Sequence, residues 1–84
     1  MTLNAPTSEY PLPATSAQGE AEAAAKLLEF IPRLAPPHAK LLIRIVAFNV
    51  GRGREQSALY ALHHYISRAD AVLVISALRA GSAA

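Results

Sequence analysis

The chain has 84 residues, 52% of them hydrophobic, and sets 8 Lys and Arg against 6 Asp and Glu for a formal net charge of +2. A chain this short holds one domain with a small core, and without cysteine it has neither a disulfide nor a thiolate metal site to brace it. So modest a basic excess does not by itself choose among nucleic acid, an anionic ligand and an acidic protein as partner.

The aliphatic composition, with no tryptophan and few aromatics, implies a core of Leu, Ile, Val and Ala. A core of that kind in a short chain is often completed by a second copy, so a homo-oligomer is expected. No basic cluster followed by an apolar stretch of signal-peptide length opens the sequence. The longest apolar run is interrupted by Arg44, well short of the roughly 20 residues of a spanning helix. A cytoplasmic protein without a membrane span is therefore expected.

Residues 1–14 contain Pro6, Pro11 and Pro13 among small polar residues and show no periodicity, which reads as a disordered or extended tail. Within it, Tyr10-Pro11-Leu12-Pro13 would present an aromatic and a leucine on an extended backbone, although a plain terminus is the simpler reading. One small helical domain is expected over residues 15–84. Its first helix should begin near Thr15 or Ser16, because Thr15 and Gln18 have capping-box spacing and Glu20 and Glu22 suit the positive end of the helix dipole. Ala21, Ala24, Leu28 and Ile31 would line its apolar face with Leu27 beside it, Glu22 would pair with Lys26, and Pro32 should end it near Ile31.

A second helix is predicted from Pro37 to about Val50, with Gly51 closing it in a left-handed conformation. Leu41, Leu42, Ile45, Val46 and Phe48 would give it a wide apolar surface, with Lys40, Arg44 and Ala47 on a thinner polar side. Composition argues for a strand, because Ile43, Ile45, Val46, Phe48 and Val50 are strand-favouring types. After the basic turn Gly51-Arg52-Gly53-Arg54, the series Leu59, Leu62, Ile66, Ala69 and Leu73 advances in steps of three and four. That spacing predicts a seam along one helix from Glu55 to about Ala80, roughly 40 Å long, suited to self-association. Residues 71–76 also read as a buried strand. The preferred architecture is all-α, a small helical hairpin or bundle completed by dimerisation. The alternative is a βαβ unit whose sheet is shared between subunits.

The order helix, glycine-containing turn, helix resembles a helix-turn-helix unit around residues 38–68, with Ala47 and Gly51 agreeably spaced for it. On that reading Arg52, Arg54, Gln56 and His63 would contact DNA, or Arg52 and Arg54 an anion at the helix start. Ser57 falls where such a second helix buries an aliphatic, and the turn fits no phosphate-binding motif. His63 and His64 point about 100° apart on a helix and have no Cys, Asp or Glu at chelating spacing, so no metal or other cofactor is expected. Ser57 and His64 are two turns apart, too far to act as nucleophile and base, and no enzymatic activity is expected. Tyr60, His64, Tyr65 and Arg68 form the candidate partner surface, since Tyr and Arg concentrate binding energy at interfaces. The reading that results is a non-enzymatic adaptor or regulator that self-associates and binds another protein, with a DNA-binding regulator as the alternative.

Overall fold

The computed structural model describes residues 15–83. They form four helices: α1 (Ala17–Phe30), α2 (Pro36–Gly51), α3 (Glu55–His63) and α4 (Arg68–Ala83). The expected tail over residues 1–14 lies outside the described residues. No strand occurs among those described, so the βαβ alternative is overturned, with residues 41–48 inside α2 and 72–76 inside α4. Both segments bury positions three and four apart, Ala39, Leu42, Ile43, Val46 and Val50 in one and Ala71, Val74, Ile75 and Leu78 in the other. Burial on that period outweighs a strand preference worth only about 1 kcal/mol.

The cap of α1 is Ser16, where Thr15 was the expected residue. Its hydroxyl accepts from the Gly19 N–H at 3.1 Å, satisfying one of the unpaired amides of the first turn. The chain leaves α1 at Ile31, which Pro32 holds away from helical geometry at φ −131° and ψ 77°. Ile31 N–H still donates to Leu27 O, which closes the last turn. Lys26 reaches Glu29 at 3.4 Å and not the expected Glu22, which instead accepts from Gln18. The buried face of α1 is Gly19, Ala23, Ala24 and Leu27, rotated from the predicted stripe so that Ala21 is exposed. The rotation follows from how α1 meets α4, its most extensive neighbour. Gly19 and Gly81 face each other at that crossing, close enough that a Cβ on Gly81 would lie 2.8 Å from Gly19 Cα.

Helix α2 begins with Pro36 and Pro37, whose missing N–H groups would have had no partner there. At its other end Arg54 N–H donates to Asn49 O at 2.8 Å and Gly53 N–H to Val50 O at 3.0 Å. These are the two bonds of a Schellman motif, and the residue with positive φ is Gly53 at 76°, not Gly51. Gly51 is the last helical residue and has open space around its Cα. The two glycines should therefore respond oppositely to alanine. Gly53→Ala is expected to cost about 1 kcal/mol, because a Cβ is strained in the left-handed region, whereas Gly51→Ala should stabilise by about 0.5 kcal/mol. Chemical denaturation of the two variants reads both signs.

The single long helix predicted from Glu55 to about Ala80 is two helices. Tyr65 N–H and Ile66 N–H both donate to Leu62 O, and His63 Nδ1 lies 3.0 Å from Ile66 O, so the chain turns after α3. Ser67 starts the next helix by accepting from Asp70 N–H at 3.1 Å. Ser67 and Asp70 have the spacing of a capping box, a start signal strong enough to divide the periodic run.

Each helix packs on its chain neighbours, and α1 with α4 closes the bundle. The fully buried side chains Leu27, Ile43, Val46, Leu62, Val74, Ile75 and Leu78 come from all four, and no polar or charged residue is buried among the described residues. Each such aliphatic contributes about 1.5–3 kcal/mol relative to exposure. Glu55 and Arg79 pair at 2.6 Å across α3 and α4, half exposed and so worth well under 1 kcal/mol.

Candidate interaction surfaces

A helix on the outside of a small bundle needs one apolar side. Helix α2 has two. With its buried side turned to the core, it presents Leu41, Ile45 and Phe48 to solvent, and these are 62%, 48% and 60% exposed. Steps of four and three put them on one face. Arg52 continues the line, its guanidinium 5.5 Å from the centre of the Phe48 ring, a cation–π distance. Asn49 is held nearby by its amide, which donates to Ile45 O at 2.9 Å.

Two shallow depressions of about 310 and 290 Å³ run along one edge of this stripe, between α1 and α2. Ala17 and Ala21 of α1 and Lys40, Arg44 and Phe48 of α2 are among their walls. Glu20 lies at the junction of the two, 4.0 Å from Arg44. The opposite edge carries His38, whose ring meets Tyr65 edge-on at 6.2 Å. Sequence reasoning took Leu41, Ile45 and Phe48 as part of a core face. The available signal was an apolar residue on nearly every side of the 36–51 helix, more than one bundle face can bury.

The five residues of the predicted seam are divided by the break between α3 and α4. Leu59 and Leu62 are buried in the protomer, and Ile66 in the turn packs against the same core. Ala69 and Leu73 are exposed on α4, with Val72, Ser76 and Ala80. Ala69, Leu73, Ser76 and Ala80 keep coiled-coil steps of four, three and four, and this outward face of α4 carries no charge.

Arg52 and Arg54 lie exposed in the α2–α3 turn. Gln56, on the first turn of α3, is engaged through its Oε1 by Arg68 at 3.4 Å. His63 stands seven residues farther along, about 10 Å at the helical rise, with Nδ1 against Ile66 O. The four predicted DNA contacts are therefore split between the two ends of α3. Ser57 is exposed, and α3 buries Ala58, Leu59 and Leu62 instead. The residues of the predicted partner surface make their own local contacts. Tyr60 and His64 stack edge-to-face at 4.8 Å, with His64 Nδ1 2.9 Å from Tyr60 O, while Tyr65 sits with His38 and Arg68 with Gln56. Among the described residues no three of His, Cys, Asp and Glu come together as a metal site, and no helix is long and apolar enough to cross a membrane. Compared with known proteins, the chain matches no family model, no curated sequence and no solved structure.

Proposed function

We propose that the chain is a non-enzymatic adaptor or regulatory protein that works by protein–protein contact and self-associates through the outward face of α4. The observation that supports this reading is the exposed, uncharged series Ala69, Leu73, Ser76 and Ala80 with Val72 beside it. Small residues at these steps let a second helix approach closely, and the absence of charge means that two copies meet without repulsion. The interface moves from the full predicted seam to its second half, because Leu59 and Leu62 serve the core of the protomer. A stable dimer needs around 800 Å² per partner, so α4 would supply the centre of the contact and neighbouring loops its rim.

Sedimentation equilibrium over a concentration series is expected to show a dimer. Leu73→Glu, which places a carboxylate at the middle of the face, is expected to leave a folded monomer. A wild-type chain that stays monomeric throughout overturns the reading. DNA binding through Arg52 and Arg54 is the competing reading, supported by their exposure at the start of α3. Duplex affinity that falls steeply with salt, and disappears in the Arg52→Ala/Arg54→Ala double variant, would put DNA binding in the adaptor's place.

A further inference from the structure

We propose that the outward stripe of α2, Leu41, Ile45 and Phe48, docks an acidic amphipathic helix of another protein, with Lys40, Arg44 and Arg52 meeting its carboxylates. The proposal stands on α2 and does not require self-association through α4.

The first argument is spacing. Residues at positions zero, four and seven of a helix are the anchors by which one amphipathic helix packs on another, and here all three are large and about half exposed or more. Covering them removes three apolar side chains from water, which is the main driving force of such contacts.

Charge selects the occupant. Helix α2 and the turn after it carry Lys40, Arg44, Arg52 and Arg54 and no carboxylate. The acid that reaches them from α1 is Glu20, at 4.0 Å from Arg44, and Lys40, Arg52 and Arg54 form no ion pair among the described residues. An incoming helix with Glu or Asp beside its apolar stripe would complete these pairs and be steered to the site.

A second copy of this chain fits the same stripe poorly. Two-fold pairing centred between Arg44 and Ile45 would bring Leu41 against Phe48, as required, but would also set Arg44 beside its own equivalent on the same edge of the contact. Like charges facing across a contact oppose it. An anionic membrane would satisfy the charge, yet the cations lie along the α1 edge, while the other edge carries His38 and Tyr65. The depressions between α1 and α2 can take the side chains of a helix, which a flat lipid surface cannot fill.

The test uses the full chain and a synthetic peptide of about 18 residues, roughly five helical turns. The peptide carries three leucines at positions zero, four and seven and glutamates along one side, and its control has lysine at every glutamate. Vesicles of phosphatidylcholine with phosphatidylserine form the third arm. Saturable binding of the acidic peptide is expected, with amide NMR perturbations at Leu41, Arg44, Ile45 and Phe48. Phe48→Ala should weaken it by at least about tenfold, and Lys40→Glu/Arg44→Glu should transfer the preference to the lysine peptide. Both sites are on the surface, and an unchanged helical circular dichroism spectrum confirms the fold. Measuring the peptide on Leu73→Glu as well separates docking on α2 from association through α4, and equal affinity there is expected. Equal binding of the two peptides, indifference to Phe48→Ala, or vesicles perturbing Ile45 and Phe48 where the acidic peptide does not would each overturn the proposal.

Discussion

Gly19→Ala should destabilise the protein by about 1–3 kcal/mol even though alanine is the better helix former. The substitution has two opposed effects. In an open helix position it would gain up to about 1 kcal/mol, as at Gly51. At position 19 the new Cβ would overlap Ser82 Oγ and Leu78 O and lie 2.9 Å from Ser82 N. Two of those atoms are backbone and cannot rotate aside. The hydroxyl could, but it accepts from Ser16 N–H at 2.8 Å and donates to Leu78 O at 2.6 Å, so moving it breaks both bonds. Helix α4 must therefore back away from α1, and every contact along that crossing loosens. Gly81→Ala should be milder, because its Cβ would come no nearer to backbone than 2.8 Å, at Gly19 Cα, and its other near neighbour is the Glu22 carboxylate at 2.9 Å, the end of a flexible side chain. Valine at either position should exceed alanine at the same position. Denaturant midpoints for Gly19, Gly81 and Gly51 variants measured together check the ranking. Stabilisation by Gly19→Ala would mean that the two helices do not approach as closely as described.

Leu62→Ala should remove about 2–5 kcal/mol, a large share of the roughly 5–15 kcal/mol that holds a small domain together. Leu73→Ala, measured at protein concentrations low enough to keep the chain monomeric, should change stability by less than about 0.5 kcal/mol. The contrast follows from burial: Leu62 is 0% exposed at the meeting of α3 with the core, and Leu73 is 49% exposed. The sequence treats these residues as equals, two members of one periodic series. If they did form a continuous subunit interface, both substitutions would cost more at the higher protein concentration, where the wild type is associated, and neither would matter to the monomer. Urea denaturation of both variants at two concentrations separates the cases.

The division of that series was readable and was missed. Ser67 and Asp70 stand three apart ahead of an apolar run, the spacing of a capping box, and the Ser67 hydroxyl that caps the new helix through Asp70 N–H marks where the seam ends. Periodicity alone overlooks it because the steps of three and four run on in sequence through the turn from His64 to Ser67, although Leu59 and Leu62 are buried while Ala69 and Leu73 face outward. Proline and glycine were more informative. Pro36 and Pro37 start α2, and Pro32 closes α1, both near the predicted places. The strand-favouring content of residues 41–50 left α2 ambiguous, since single-residue preference says nothing about which side chains a neighbour will cover. The face of α1 was misjudged for a related reason. Gly19 and Ala23 look like gaps in an apolar stripe, yet they are the contact, because a close crossing is made of what is absent. The all-round apolar content of α2 signals that one of its sides stays outside, but not that this side is Leu41, Ile45 and Phe48. That depends on which neighbours α2 acquires, a property of the assembled bundle.

The hydroxyl of Ser82 joins residues 66 positions apart, between the start of the first helix and the end of the last. Neighbouring helices meet by closing short loops. Bringing α1 to α4 closes nearly the whole described chain, at an entropic cost about 1.7 kcal/mol above that of a loop of ~10 residues. That cost is offset where the most extensive helix pair of the bundle meets. The glycine and alanine lining of the crossing makes the closing contact one of shape, satisfied by a helix that can approach as closely as Gly19 does to Gly81. A greasier surface would accept any passing apolar segment.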